Sequence, residues 1–330
     1  MNGAVPCAAA LLLLASAVHA APRIGDATLK RVDQQVQSRY PALFTLYQDL
    51  HRNPELGFEE QRTAALLAEE MRKLGFSVTE GVGGTGLVAV LENGSGPTIL
   101  VRTELDALPM AEKTGLPYAS SVPTAMHACG HDIHMAVWLG TAQALQALKD
   151  QWRGRLVFIA QPAEEGLRGA KAMLADGLLT RFPKPDAGFA LHVSPAAAGT
   201  VALKAGINTS ASDAVEIRFK GRGGHGSMPS ATIDPIVIAA RFVTDVQTIV
   251  SREKDAAEFG VVTVGAFQAG TVANIIPDEA LLKLTLRSYS PVVRKQLLDG
   301  VRRVANASAA MAGAPAPEVT VVAGTGSVRS

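Results

Sequence analysis

The sequence predicts a two-domain α/β protein, in which a mixed β-sheet covered by helices accompanies a smaller ferredoxin-like α+β domain. A chain of 330 residues is long enough to bury the cores of two domains. Up to residue 203, short and almost continuous apolar runs alternate with helical segments, as buried strands of a parallel or mixed sheet do. From residue 204 onward the predicted order is β-α-β-β-α-β, which is typical of a ferredoxin-like two-layer sandwich. One domain therefore follows the other or is inserted into it.

The elements of the first domain, residues 21–203, follow from the spacing of apolar residues. One helix is marked by apolar side chains three and four residues apart and ends at Gly75. The predicted helices cover residues 41–52, 58–74, 133–148 and 169–175. The predicted strands cover residues 86–91, 98–102, 156–160 and 187–193, and the last two read as buried.

The second domain, residues 204–323, begins with an alternating pattern. Polar and apolar side chains alternate along residues 213–220, which predicts a half-exposed strand. Further strands are predicted at residues 259–267, 279–287 and 318–322, and helices at residues 233–250 and 291–310.

The first 20 residues predict a signal peptide. An apolar run over residues 8–18 is too short to span a membrane, and small residues lead up to a cleavage site after Ala20. A buried N-terminal helix is the alternative. Cleavage would export the chain to the periplasm or the medium and would remove Cys7, leaving Cys129 without a cysteine partner. A lone thiol in an oxidising compartment favours a metal-ligand role.

Charge and composition exclude some partners. The formal net charge is +1 and no run of like charges is present. The chain therefore lacks the basic stripe of a nucleic-acid-binding protein and the polybasic patch of a membrane-anchored one.

Cys129 and His131 lie two residues apart just before a predicted helix, in MHACGHDIHM (126–135). A thiolate and a neutral imidazole suit zinc or a similar divalent ion. The C-x-H spacing alone is a weak signal, because either histidine could instead be hydrogen-bonded in the core.

Glu164 and Glu165, in QPAEEG (161–166), directly follow a predicted buried strand. Neighbouring side chains diverge at a strand end, so one carboxylate can bind a metal while the other lies beside a polarised water as a general base. A solvated acidic turn is the alternative. The position at the carboxyl end of a strand, where α/β sheets bind ligands, favours function.

His192 and Asp106 follow the ends of two further strands. Each could be a core residue on its own. Together with Glu165, and with Cys129 and His131 at the start of a helix, they predict a metal site at one edge of the sheet.

Ordered motifs along residues 40–322 resemble the M20 metallopeptidase and amidohydrolase family, in particular its hippurate hydrolase and auxin-amino-acid hydrolase branch. They are HRNPELGFEE, RTELDALP, MHACGHDIHMA, QPAEEGLRGAKAM, GGHGSMP and NIIPDEA. The resemblance implies a zinc-exopeptidase-like catalytic domain with an inserted ferredoxin-like lid, a homodimer through that lid, and two divalent metal ions (Zn, Mn or Co).

By motif, Cys129, His131, Glu165 and His192 resemble metal ligands, Glu164 the general base, and Asp106 a carboxylate that orients a site group. In the lid, His225 resembles the histidine that reaches a neighbouring subunit's site and stabilises the oxyanion. Asn274 and Arg287 resemble groups that contact the substrate carboxylate.

The sequence departs from this branch in two places. Glu104 stands where the branch usually has aspartate, and no histidine follows His225, although the resemblance implies a further metal-binding histidine in a segment that returns to the catalytic domain. We therefore expect the chain as written to bind metal weakly and to turn over substrate poorly or not at all, while its lid still folds and associates.

The leading functional hypothesis is an exported amidohydrolase that cleaves N-acyl or N-aroyl amino acids. One alternative keeps the same metal centre but takes dipeptides or peptide C-termini as substrates. The other is an inactive truncated relative that retains only lid dimerisation.

Overall fold

The computed structural model describes residues 24–329, so the predicted signal peptide lies outside the described residues. The helices of the N-terminal half are α1 (Asp26–Arg52), α2 (Gln61–Lys73), α3 (His131–Ala147) and α4 (Gly169–Ala175). Its strands are β1 (Ser77–Glu80), β2 (Leu87–Asn93), β3 (Thr98–Glu104), β4 (Gly154–Gln161) and β5 (Ala187–Phe189).

These five strands form one mixed sheet in the order β1-β2-β4-β3-β5. β1, β2 and β4 pair antiparallel, whereas β3 pairs parallel with both β4 and β5. The carboxyl ends of β3, β4 and β5 therefore meet at one edge of the sheet. The prediction of a mixed α/β sheet is confirmed.

The two faces of the sheet are buried in different cores. Leu67, Met71, Trp138 and Leu139 from α2 and α3 pack with Phe158 of β4 on one face. Met173 and Leu178 pack against Val88, Val157 and Ile159 on the other. Burial of both faces explains why β2 and β4 are almost continuously apolar.

Several boundaries differ from the sequence prediction. α1 begins at Asp26 and not at residue 41, so Pro41 lies inside the helix. α2 begins at Gln61 and not at residue 58, because Phe58 has a left-handed backbone with φ of 68° that cannot continue a helix. The strand predicted over residues 187–193 is wrong in length and burial. β5 spans three residues at the sheet edge, with Phe189 62% exposed, because β3 pairs with it on one side only.

The C-terminal half contains a second sheet. Its helices are α5 (Pro235–Asp245) and α6 (Pro291–Met311), and its strands are β6 (Ile207–Thr209), β7 (Ala211–Lys220), β8 (Gly224–His225), β9 (Gly260–Ala269), β10 (Ile275–Ile276), β11 (Glu279–Ser288), β12 (Glu318–Thr325) and β13 (Val328–Arg329). β7, β9, β11 and β12 form an antiparallel sheet in the order β12-β7-β11-β9. This sheet and the two helices confirm the predicted β-α-β-β-α-β order.

The core of this half lies between the four-stranded sheet and its helices. Ile217, Leu282 and Phe242 are buried there with Leu297 and Val301 of α6. The helix predicted over residues 233–250 stops at Asp245 and is followed by a wider π turn, Ile249–Glu253. The turn lies against α6, where Gly300 leaves room for the buried Ile249 side chain.

Within residues 24–329, no helix combines the length and apolarity needed to cross a bilayer. The domain limits at residues 203 and 323 stay predictions.

Candidate metal centre

The candidate site lies where the carboxyl ends of β3 and β4 meet the first turn of α3. Glu104 is the last residue of β3 and Asp106 follows it closely, while Glu164 and Glu165 lie in the turn after β4. His131 is the first residue of α3. Parallel pairing of β3 with β4 thus brings together side chains that the sequence separates widely.

The turn that carries the two glutamates has a constrained backbone. Ala163 and Leu167 have left-handed φ values of 43° and 54°, which non-glycine residues adopt only where the surroundings enforce them. The Ala163 N–H donates to the Glu60 carboxylate at 2.8 Å, and Glu60 is completely buried. Gly169 closes the turn, since a Cβ there would lie 1.5 Å from the Pro162 carbonyl oxygen.

His131 has one ring nitrogen in use and one available. Its Nδ1 lies 2.7 Å from the Asp106 carbonyl oxygen. A carbonyl can only accept, so Nδ1 carries the proton and the lone pair of Nε2 is free to bind a metal. That Nε2 lies 3.7 Å from Glu164 Oε2 and 4.0 Å from Glu165 Oε1.

Asp106 links β3 to the glutamate turn. Its Oδ2 accepts the backbone N–H of Glu165 at 2.9 Å, and its Oδ1 lies 3.4 Å from His131 Nδ1. Asp106 thus contacts both a ligand candidate and the turn that carries Glu164 and Glu165, and its orienting role stays a prediction.

Cys129 and His192 form the other side of the cluster. Cys129 Sγ lies 3.3 Å from His192 Nε2. His192 Nδ1 lies 2.6 Å from the Val193 carbonyl oxygen and so donates to it, which leaves Nε2 as the available nitrogen. This arrangement, with one nitrogen on a backbone carbonyl and the other free, is typical of metal-binding histidines.

The donor atoms fit a divalent metal. Ligand atoms of Cys129, His131 and His192 lie within 4.8 Å of one another, as do those of His131, Glu164 and Glu165. His131 Nε2 and Glu165 Oε1 are buried without a hydrogen-bond partner among the described residues. Such unpartnered atoms are costly unless an ion or water satisfies them, and thiolate, imidazole and carboxylate together suit zinc-type ions.

Burial and the charges around the cluster favour the protonated forms of Cys129 and His131 in the absence of a cation. Burial and the negative charge of Glu165 raise the pKa of the Cys129 thiol to about 12. Burial lowers the pKa of His131, but its hydrogen bond to Asp106 and the charge of Glu104 outweigh burial and raise it to about 9. Burial also raises the pKa of Glu164 above its usual range. A bound cation would reverse these preferences.

Further polar side chains beside the cluster form contacts that the sequence did not predict. His134 lies one helical turn after His131, and its Nδ1 contacts Glu104 Oε2 at 3.0 Å. Glu104, which departs from the aspartate of the related branch, is buried and also accepts from Arg102 at 2.6 Å. The i, i+3 spacing of His131 and His134 could have indicated that His134 lies beside the site, because it places both side chains on one helix face.

His127 and His51 are further buried histidines. Both ring nitrogens of His127 are unpartnered among the described residues, and burial with the nearby positive His131 lowers its pKa to about 3. His51 lies between Asp132, at 2.6 Å, and Glu112, at 3.2 Å.

The three predicted lid residues lie in the C-terminal half. Asn274 and His225 are neighbours, because the Gly226 N–H donates to the Asn274 carbonyl oxygen at 2.8 Å and His225 pairs with Ile275. The His225 ring is exposed and its Nδ1 contacts Ser227 Oγ at 2.8 Å. Arg287 is an exposed residue of β11. No hydrogen bond or ion pair within residues 24–329 joins these three to the metal-ligand candidates.

The chain is similar to known hydrolases. It is 42% identical over 257 residues to the hippurate hydrolase of Campylobacter jejuni, covering 77% of this chain and 66% of that protein. It is 39% identical over 270 residues to thermostable carboxypeptidase 2 of Saccharolobus solfataricus, covering 80% and 68% respectively. The N-acetylcysteine deacetylase of Bacillus subtilis is 37% identical over 277 residues, covering 83% and 72%. The chain thus spans about two thirds of the length of these relatives.

A solved structure supports the same relationship. The YXEP protein of Bacillus subtilis, described as a dinuclear metal binding peptidase from the M20 family, superposes with a TM-score of 0.73 at 33% identity, covering 89% of this chain and 76% of that one. The family model for peptidase family M20/M25/M40 matches residues 100–327, which include Asp106 and all four predicted metal ligands. The chain therefore belongs to peptidase family M20/M25/M40.

Proposed function

We propose that the protein is a metal-dependent amidohydrolase that cleaves N-acyl or N-aroyl amino acids to a carboxylic acid and an amino acid. The observation that carries this proposal is that Cys129 and His192 on one side, and Glu164 and Glu165 on the other, converge on His131. The names of similar proteins, a hippurate hydrolase and an N-acetylcysteine deacetylase, support an N-acyl amino acid as substrate.

Cys129, His131, Glu165 and His192 would hold two divalent ions, with Zn, Mn and Co as the candidate metals. When bound, such ions polarise a water and the scissile carbonyl group. Asp106 keeps the Nε2 of His131 directed at the cluster, because the Asp106 backbone carbonyl accepts the proton on Nδ1.

Glu164 is the general base in this proposal. Its Oε2 lies within 4 Å of His131 Nε2, and its side chain is partly exposed, so a water beside the ligands is within its reach. The carboxylate takes a proton from the attacking water as the new C–O bond forms. It then delivers that proton to the leaving nitrogen as the C–N bond breaks, which yields the acid and the free amine.

The raised pKa of Glu164 suits the second half of this cycle. Burial raises the pKa, so the carboxyl group holds a proton more readily than an exposed glutamate and can act as an acid toward the leaving nitrogen.

The lid residues complete the proposed site from a second subunit. His225 would stabilise the oxyanion, and Asn274 and Arg287 would contact the substrate carboxylate. Exposed apolar side chains near His225 support a homodimer through this half: Ile275, which pairs with His225, is 55% exposed, and Val272, bonded to Ile275, is 51% exposed. Light scattering of the purified chain should give the mass of a dimer, and a monomer at all concentrations would contradict it.

A peptidase with the same centre is the second candidate, because the chain is also 39% identical to a carboxypeptidase. A substrate panel separates the two. Metal-loaded protein should hydrolyse N-benzoyl or N-acetyl amino acids faster than dipeptides, and Glu164→Gln should lower that activity by about 10²–10⁴-fold. Faster cleavage of dipeptides would favour the peptidase.

We also propose export, on the basis of the apolar run and the small residues before Ala21. N-terminal sequencing of secreted protein should begin at Ala21. Soluble, folded protein that retains Met1 would contradict export.

A further inference from the structure

We propose that His134 is a positioning residue that holds the His192 segment against α3 and so sets the metal affinity of the site, without binding the ion itself. This inference rests on the proposed metal centre. It goes beyond it by assigning a role to a histidine that lies beside the metal-ligand candidates.

Both ring nitrogens of His134 are already in use. The backbone N–H of Val193 donates to His134 Nε2 at 3.0 Å, so Nε2 carries no proton. The proton is therefore on Nδ1, which donates to Glu104 Oε2 at 3.0 Å. A histidine in this state has no lone pair left for a metal, although its ring lies in a group of potential ligands with Glu104 and His131.

The bond to Val193 fixes the residue next to a ligand candidate. His192 is exposed and follows the short edge strand β5, so its own strand constrains it little. Besides the bond to Val193, the rings of His134 and His192 meet edge to face, with centroids 4.8 Å apart at 67°. His134 thus connects the buried helix α3 to the loop that must present His192 Nε2 to Cys129.

Gly130 gives a second, independent indication that the Val193 segment packs against the start of α3. It precedes α3 with φ of 86°, and a Cβ at this position would lie 2.4 Å from Val193 Cγ2. The Val193 segment therefore packs directly onto the helix start, and only glycine leaves room for it.

Glu104 anchors the other side of His134. It is 3% exposed and is held by Arg102 Nη1 at 2.6 Å. The chain of contacts runs from Arg102 through Glu104 and His134 to the Val193 backbone. The His134 ring therefore cannot turn toward the cluster without depriving Glu104 Oε2, a buried oxygen, and the Val193 N–H of their bonds to it.

The first experiment compares metal affinities of folded variants. Co²⁺ is titrated into the full chain, and binding is followed by the absorption of the cobalt–thiolate bond of Cys129. His134→Phe keeps the ring but removes both nitrogens and should weaken binding by about 10- to 100-fold, as loss of a ligand-orienting partner does. His134→Gln, whose amide can both accept from Val193 and donate to Glu104, should recover part of the affinity.

Gly130→Ala and Thr141→Ala complete the set. Gly130→Ala displaces the Val193 segment without removing a polar atom and should weaken Co²⁺ binding in the same direction. Thr141→Ala, at a half-buried position on the same helix, should bind as the unaltered chain does. Unchanged affinity in His134→Phe or in Gly130→Ala would overturn the inference.

The second experiment needs no variant. The ¹⁵N resonances of the histidine rings are recorded before and after Zn²⁺ addition. His131 and His192 should shift, and His134 should keep the pattern of a ring protonated at Nδ1. A metal-induced shift of His134 Nε2 like that of His192 would overturn the inference.

His192→Ala distinguishes this inference from the proposed function. If that variant binds Co²⁺ as well as the unaltered chain, the metal centre itself is wrong. If it loses affinity while His134→Phe does not, only the positioning role is wrong.

Discussion

Cys129 Sγ lies 3.3 Å from His192 Nε2, although 63 residues separate them in the chain. The contact joins the loop before α3 to the segment after β5. The bond from the Val193 N–H to His134 holds the His192 segment in this place, and Cys129 is the only cysteine among residues 24–329. A thiolate and an imidazole nitrogen at this separation can share an ion, which leads to a chemical test of the thiol.

Bound metal should protect Cys129 from alkylation. Zinc-type ions deprotonate a coordinating thiol and occupy its lone pair, so iodoacetamide should spare the metal-loaded protein. It should label the chelated protein, slowly at neutral pH because the thiol pKa is about 12. Mass spectrometry of the labelled peptide measures this. His192→Ala should reduce the protection, and equal labelling with and without metal would exclude Cys129 as a ligand.

Substitutions of Glu164 and of Glu165 should have different effects on metal content and turnover. Glu164→Gln keeps the shape of the side chain but removes the base, so turnover should drop by about 10²–10⁴-fold while metal content stays unchanged. Glu165→Ala removes a ligand and should lower metal content and activity together.

Plasma emission spectroscopy and a substrate assay on the same preparations separate these outcomes. If Glu164→Gln empties the site, or Glu165→Ala leaves it full, the two roles are reversed.

The sequence predicted that most of these side chains lie near one another, because strand ends and a helix start are visible in a pattern of apolar residues. Asp106, Glu164 and Glu165 were placed together from their positions after buried strands, and Cys129 and His131 from the helix that follows them. Because β3 and β4 pair in parallel, their carboxyl ends lie side by side, and the residues that follow these strands meet at one edge of the sheet.

What the sequence did not predict depends on contacts between distant residues. Nothing in the local pattern shows that His134 receives the Val193 N–H, or that Glu60 accepts the Ala163 N–H across 103 positions. The prediction that residues 187–193 are buried was wrong for a related reason. An apolar run indicates that a strand can be buried, whereas its place at the sheet edge decides whether it is.

Gly169→Ala should disturb the turn that carries the two glutamates. The new Cβ would meet the Pro162 carbonyl oxygen at 1.5 Å, so the backbone must shift, and overpacking of this kind costs about 1–3 kcal/mol of unfolding free energy. Metal affinity should fall with it, because Glu165 lies within the turn. Denaturant unfolding and metal titration measure the two effects.

Gly326→Ala is the matched control for this change. Nothing lies within 4 Å of a Cβ there, so stability should change by no more than about 0.5 kcal/mol. Equal effects of the two substitutions would contradict the proposed packing of the turn.

His51 should make stability depend on pH. Burial lowers the pKa of His51, but hydrogen bonds to Asp132 and Glu112 outweigh it and raise the pKa, and Tyr47 and Tyr118 enclose the ring. A raised folded-state pKa contributes stability that is fully present below the unfolded value near 6.5 and is lost as pH rises through the folded value.

His51→Phe keeps the ring contacts and breaks the ion pairs, which should cost about 3–5 kcal/mol at pH 6. The difference from the unaltered chain should shrink toward pH 9. Denaturant unfolding at both pH values checks this, and a difference that grows with pH would reverse the sign of the argument.

X-ray absorption at the zinc edge tests the central claim, that one metal centre is formed by Cys129, His131, Glu165 and His192. Protein loaded with Zn²⁺ should show a sulfur ligand at about 2.3 Å together with nitrogen and oxygen ligands at about 2.0–2.2 Å. The sulfur signal should disappear in Cys129→Ser, and the imidazole scattering should decrease in His192→Ala. A zinc spectrum with no sulfur ligand, identical in the unaltered chain and in Cys129→Ser, would contradict the account.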